Sequence, residues 1–355
     1  MTFEDHLNHV VKRARSFYNA NHPGHFLVNT IIPVDSPKIP PLFDFDLDHQ
    51  LTVWLDHKLA AARSLWRAKR ELDDDSIPAI CPQFGIAEHS AWLGLEVQFQ
   101  EDTCLPEPLL KSPDDLDRMT YTEQAKWFQY MKKGYEYLHT KKDGSFVLSN
   151  RGTMTPMDLA NALRGDELFT DFILQPDFVH RLMKFLAKAI DWYYRHLCDW
   201  ADEIDGGFVQ YIGNGWMGPN FIGHLSNDVA MLCSTQIYEE FGFPYEIELT
   251  KKYNGSFYHV HNEKLHFVPK VAELSGLRLL EISNDPKTRL ALDDVERIFS
   301  MSGIANLMLH GTSDQVRNHV DKLKTRNIFL QVSCEDRKDA EDIIALVRDR
   351  SRDLE

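Results

Sequence analysis

Long apolar runs are missing from this chain of 355 residues: no stretch approaches the ~20 residues that a bilayer-spanning helix needs. Cysteine is scarce. Its five residues (Cys81, Cys104, Cys198, Cys233, Cys334) are odd in number and contain no CxxC spacing, which argues against a disulfide framework. Positive charge is in deficit, with 39 Lys and Arg against 54 Asp and Glu, a net charge of −15. Nucleic acid or an anionic membrane surface would repel such a chain, so neither is an expected partner. The opening residues MTFEDHLNHVVKRARSF lack the apolar core of a secretory leader, and a cytoplasmic location with reduced thiols is expected. No GxGxxG turn follows any of the early strands, GxxxxGK[ST] does not occur, and Ser/His/Asp and Cys/His/Asn nucleophile signatures are also absent. No repeat, low-complexity tract or Gly/Ser linker divides the chain, so residues 1–355 are read as a single domain.

What is present is alternation. Short β-rich apolar runs end in polar residues or Gly, and longer stretches of helical period follow them. Eight strands are expected, at 25–33, 77–81, 145–150, 207–213, 256–261, 277–283, 306–311 and 327–334. Helices are expected at 50–70, 176–202, 225–241, 262–274, 313–324 and 336–350, with an N-terminal helix inside 1–24. Strands that are mostly uninterrupted apolar runs, each followed by helix, indicate a parallel sheet covered on both faces. Eight such units predict an α/β fold of the (β/α)8 TIM-barrel type, with a doubly wound open sheet as the alternative. The long aromatic segment 82–144 reads as an insertion over the barrel mouth. Asp73-Asp74-Asp75 reads as a solvated turn.

In such a barrel the active site lies at the carboxyl ends of the strands. His259 and His261 are separated by one residue on a strand, so their imidazoles share one face. Cys334 closes the eighth strand. Two imidazoles and a thiolate with one open position form the ligand set of a catalytic zinc. Tyr211, Asn214, Trp216 and Gln83 fall at strand ends as substrate-binding candidates, with Phe84 and Trp92 as further aromatic lining. Glu281 and Asp285 are the candidate catalytic carboxylates. Glu281, Asn214 and Asp285 are also candidates for the remaining zinc position, Glu281 first.

Four ordered stretches resemble the uroporphyrinogen decarboxylase superfamily: IGNGWMGP…LSNDVAMLCSTQIYEEFGFPY (212–245), FYHVHNEKLHFVPKVAELSGLRLLEISNDP (257–286), NLMLHGTSDQVRNHVDKL (306–323) and FLQVSCEDRKDAEDIIALV (329–347). The resemblance covers roughly residues 75–350 and implies a (β/α)8 barrel. The Arg-rich first strand and the aspartate of the decarboxylase branch are replaced here by FLVNTIIP and ICPQFGI, so a tetra-acid porphyrinogen would lack cationic partners. The other branch comprises zinc methyltransferases that work with corrinoid proteins, and it implies zinc ligands at His259, His261 (in place of a Cys) and Cys334. Imidazole for thiolate leaves zinc a harder Lewis acid. The expected activity is therefore transfer of a methyl group from a small, methoxylated donor to a corrinoid on a partner protein. The alternative is a decarboxylase-like lyase or metal-free binding protein on the same barrel, with His259 and His261 as acid/base groups.

Overall fold

The computed structural model describes residues 2–100 and 103–352. Residue 1 of the N-terminal segment, residues 101–102 of the 82–144 segment and residues 353–355 lie outside it. The fold is mixed α/β around a parallel sheet. Nine short parallel strands organise it: β1 (Phe26–Ile31), β2 (Ala79–Ile80), β3 (Val147–Leu148), β4 (Thr153–Met154), β5 (Phe221–Ser226), β6 (Gly255–His261), β7 (Leu277–Ser283), β8 (Leu307–Thr312) and β9 (Ile328–Ser333). Seven form one sheet in the order β1-β9-β8-β7-β6-β5-β4, and β2 pairs with β3 in a second, two-stranded parallel sheet. The first strand lies beside the last, with Val28 opposite Leu330 and Asn29 opposite Gln331. Among the described residues, no helix is long and apolar enough to cross a membrane.

Six long helices cover the strands: α1 (Phe3–Asn19), α2 (Leu47–Lys69), α3 (Lys126–Thr140), α4 (Pro176–Trp200), α5 (Ser313–Leu323) and α6 (Arg337–Arg350). Their ends follow local chemistry. Asp46 caps α2 by accepting from Asp48 N, and Thr312 with Gln315 forms a reciprocal capping box on α5. On α4 the buried stripe includes Val179, Leu182, Met183, Leu186, Ile190, Tyr193 and Leu197 at spacings of three and four. Each such large apolar side chain contributes about 1.5–3 kcal/mol by leaving water.

The expected strands at 25–33, 77–81, 145–150, 256–261, 277–283, 306–311 and 327–334 coincide with β1, β2, β3, β6, β7, β8 and β9. Residues 207–213 do not join the main sheet. Gly207–Val209 is the middle of a small antiparallel sheet with Glu203–Ile204 and Trp216–Met217, and Gln210 makes only an isolated bridge to Asn150. Two strands of the main sheet are not expected from sequence, the two-residue β4 and β5, six residues buried along their whole length. Gly223 and His224 interrupt the apolar pattern of β5, and the following SNDVAML mimics a helical period. The expected helix 225–241 therefore starts too early: Val229–Leu232 and Thr235–Ile237 are short turns of helix, followed by a π-helical turn and Phe243–Thr250. Within 262–274 only Val268–Val271 is helical. Between β2 and β3 the 82–144 segment folds into α3, a hairpin (Val97–Phe99 with Cys104–Pro106) and short helical turns.

The acidic run is also not a solvated turn. Asp74 and Asp75 are buried and staple β1 from the side, Asp75 accepting from Val28 N at 2.7 Å and Asp74 from Thr30 N at 3.0 Å. Three cations neutralise them: Arg13 at 2.5 Å and Arg348 at 2.9 Å on Asp75, and Lys69 at 2.7 Å on Asp74. Arg13 and Arg348 come from helices far away in sequence, so the run alone gave no sign of them.

Candidate metal centre

Parallel register sets the site. His259 of β6 lies opposite Ser226 of β5 on one side and Glu281 of β7 on the other, and β7 pairs in turn with β8. Four adjacent strands thus supply His224, His259, Glu281 and His310. Glu281 is 2% exposed and bridges two rings, with His259 Nδ1 at 2.8 Å from Oε2 and His310 Nε2 at 2.6 Å from Oε1. Burial pushes the Glu281 carboxyl upward, but the two imidazoles outweigh it and hold it far below the usual carboxylate range. Burial pushes His259 down, yet Glu281 beside it leaves its pKa raised. His224 is buried, its ring 4.6 Å from that of His259, and among the described residues neither of its nitrogens has a hydrogen-bond partner. Burial first, and then the nearby His259, hold its pKa well below the ordinary value. Gly152, at φ +74°, makes this packing feasible: a Cβ there would stand 2.5 Å from His224 N.

A second layer lies nearer the surface. His261 Nε2 is 3.3 Å from His259 Nε2 and 3.4 Å from Asp228 Oδ1, while its Nδ1 is 2.8 Å from Asp285 Oδ1. His261 and Asp228 are 28% and 42% exposed, so this face of the cluster meets solvent. Donor atoms converge in two groups that could hold a metal ion, His224–His259–Glu281 and Asp228–His259–His261.

The two aspartates occupy equivalent places. β5 and β7 both end in Ser-Asn-Asp (226–228 and 283–285), and in each the asparagine side chain caps the following turn, Asn227 accepting from Ala230 N and Asn284 from Ala291 N. That repeated tripeptide was the sequence signal for Asp228. Behind it, Asp158 accepts from the backbone N–H groups of Asp228 and Val229 at 2.9 Å, and burial, then the charge of Asp228, push its pKa well above the ordinary value.

The remaining expected site residues divide. Cys334 joins neither donor group. Its buried Sγ is 3.6 Å from Val332 O, and burial followed by Asp339 pushes the thiol up to about 12. Trp216 is a core residue, 2% exposed, with its indole donating to Ile204 O at 2.8 Å in the small antiparallel sheet. Trp92 stacks on Tyr193 with ring centroids 4.3 Å apart, and Phe84 stacks on Trp54; both are buried. Tyr211, Asn214 and Gln83, by contrast, line one cavity of about 420 Å³ together with Lys58. Tyr211 connects that cavity to the histidines, its ring 5.7 Å from His224. Arg151 lies over the Tyr211 ring at 4.2 Å and pairs with buried Glu88 at 2.7 Å. Arg151 is expected at a strand end from sequence, but Glu88 and Lys58 are not, because only tertiary contacts bring them to the strand ends. No protein family and no curated protein matches this chain.

Proposed function

We propose that the protein is a zinc-dependent methyltransferase on a closed (β/α)8 barrel, taking a methyl group from a small methoxylated substrate and passing it to a corrinoid on a partner protein. The observation that carries the metal is the 3.3 Å separation of His259 Nε2 and His261 Nε2. His259 has its Nδ1 hydrogen-bonded to Glu281, which draws that ring's proton away from Nε2, and Asp285 Oδ1 stands 2.8 Å from His261 Nδ1. A cation placed between the two facing Nε2 atoms would be held by both rings. Tetrahedral ligands about 2.05 Å from zinc stand roughly 3.3 Å apart. The His259–His261 and His261–Asp228 spacings, 3.3 and 3.4 Å, have that value.

His259, His261 and Asp228 would hold the ion and leave an open position on the solvent side. Zinc there would supply Lewis acidity to the atom that releases the methyl group. Glu281 and Asp285 orient the two rings, and buried His224 stands behind His259 as the alternative ligand with Glu281. With Cys334 outside the donor groups, the set is nitrogen and oxygen only, which favours an oxygen-bound methyl donor over activation of a thiol. The closed barrel is supported by β1 lying beside β9 and by the Asn150–Gln210 bridge. A lyase without metal is the second reading, favoured by the unbroken His259–Glu281–His310 contact, which suits proton transfer.

Metal analysis of protein purified without a His-tag distinguishes them, and about one zinc per chain is expected. His261→Ala and Asp228→Ala should each lose the metal and the methylation of cob(I)alamin by methoxylated compounds, whereas Cys334→Ala should keep both. Metal-free wild-type protein, or undiminished zinc in His261→Ala, overturns the proposed ligand set.

A further inference from the structure

The cavity lined by Tyr211, Asn214 and Gln83 opens at the carboxyl ends of β1 and β2, against α2. Its walls are largely aliphatic, with Ile32, Val34, Ile39, Ala61, Leu65 and Ile80. One cation stands in them. Lys58 Nζ donates to Gln83 O at 2.9 Å and lies 4.9 Å over the Trp54 ring. An ammonium has three donors, and no carboxylate among the described residues forms an ion pair with this one. Glu88, whose charge acts on Lys58, is committed to Arg151 at 2.7 Å and accepts from Phe84 N at 2.6 Å.

We infer that this cavity binds a small monoanion with an apolar body, a monocarboxylate, and that Lys58 takes its charge. Two cations, Lys58 and Arg151, face one carboxylate, Glu88, so the region carries an excess positive charge inside a chain whose net charge is −15. Burial lowers the Lys58 pKa to about 8, which leaves it cationic at neutral pH. An anion docked against its free donors gains a charge-assisted hydrogen bond beside an apolar wall. Tyr211 also lines the cavity, and its ring is 5.7 Å from His224, itself 4.6 Å from His259. A ligand anchored at Lys58 therefore shares its cavity with the ring that packs against the imidazoles. This assignment names the substrate class of the proposed enzyme. It rests on that reading for the reaction and stands apart from it for binding.

Calorimetric titration of the full chain with benzoate, and with uncharged benzamide of the same shape, tests the assignment. Benzoate should bind at least about tenfold more tightly than benzamide, and Lys58→Gln should weaken benzoate about tenfold while leaving benzamide unchanged. Lys58→Arg, which keeps the charge, should restore most of the affinity and so controls for misfolding. Equal affinity for the two probes, unchanged benzoate affinity in Lys58→Gln, or no benzoate binding in the millimolar range overturns the inference. Titration of His261→Ala separates it from the metal reading. Benzoate binding that persists when zinc is lost supports Lys58 as the anchor, and binding that vanishes with the zinc overturns it. Unchanged zinc in that variant refutes the metal ligands alone.

Discussion

Glu246 offers the sharpest test of the electrostatics behind the site. Its carboxyl is fully buried and accepts from Asn227 Nδ2 at 2.9 Å, Tyr238 OH at 2.6 Å and Tyr258 OH at 2.8 Å. Asn227 and Tyr258 adjoin Asp228 and His259, so this group braces the two strand ends that carry the proposed ligands. Burial pushes the Glu246 carboxyl up, the two tyrosine hydroxyls pull it down, and burial wins, leaving it at about 7. The sign follows directly. Below the unfolded value near 4.3 both states are neutral and there is no penalty; as pH rises to about 7 only the unfolded state ionises, and stability falls. Above about 7 the full cost is present. At about 1.4 kcal/mol per pH unit it amounts to roughly 4 kcal/mol. Glu246→Gln keeps a similar shape and can never ionise. It should match the wild type near about pH 4 and exceed it by about 4 kcal/mol near about pH 8, or by roughly 5 °C in Tm for a chain of this length. Urea unfolding followed by circular dichroism across that range measures the difference. A difference that does not change with pH, or a variant that grows weaker than wild type toward alkaline pH, would refute the reasoning, because the hydroxyl donors would then have stabilised the carboxylate.

Gly152→Ala combines an unfavourable φ with a 2.5 Å clash against His224 N; a loss of about 2–4 kcal/mol in unfolding free energy is expected. Trp216→Ala should cost about 3–5 kcal/mol in the same assay, as for any emptied core aromatic site, while metal content per folded chain stays at the wild-type value. Asp75→Asn leaves Arg13 and Arg348 without their shared carboxylate, and a loss of about 3–5 kcal/mol in urea unfolding is expected from stranding buried charge.

Much of the sheet was legible because its signal is local. β1, β6, β7, β8 and β9 are short apolar runs buried on both faces, and such runs announce themselves without knowledge of their neighbours. The helices α2, α4, α5 and α6 carry their own apolar stripes and end signals, and were read correctly for the same reason. The alternation of strand and helix, and the shared face of His259 and His261, were likewise determined by sequence alone. β5 was not, because its glycine and histidine serve packing and site requirements at the expense of strand propensity.

Everything that depends on which strands become neighbours had to come from the tertiary structure. Sequence placed Cys334 at a strand end, yet its thiol turns to Val332 O, and Asp228 meets His261 in the surface group. Trp216 is expected from sequence at a strand end as a substrate-binding candidate, but the small antiparallel sheet takes its indole into the core. Asp74 and Asp75 looked solvated until Arg13, Lys69 and Arg348 arrived from three helices. Local periodicity sets the elements, because it is read within a few residues along the chain. The convergence of donors, the neutralisation of buried charge and the direction of a side chain at a strand end depend on contacts between residues up to hundreds of positions apart. Those contacts exist only once the strands have paired.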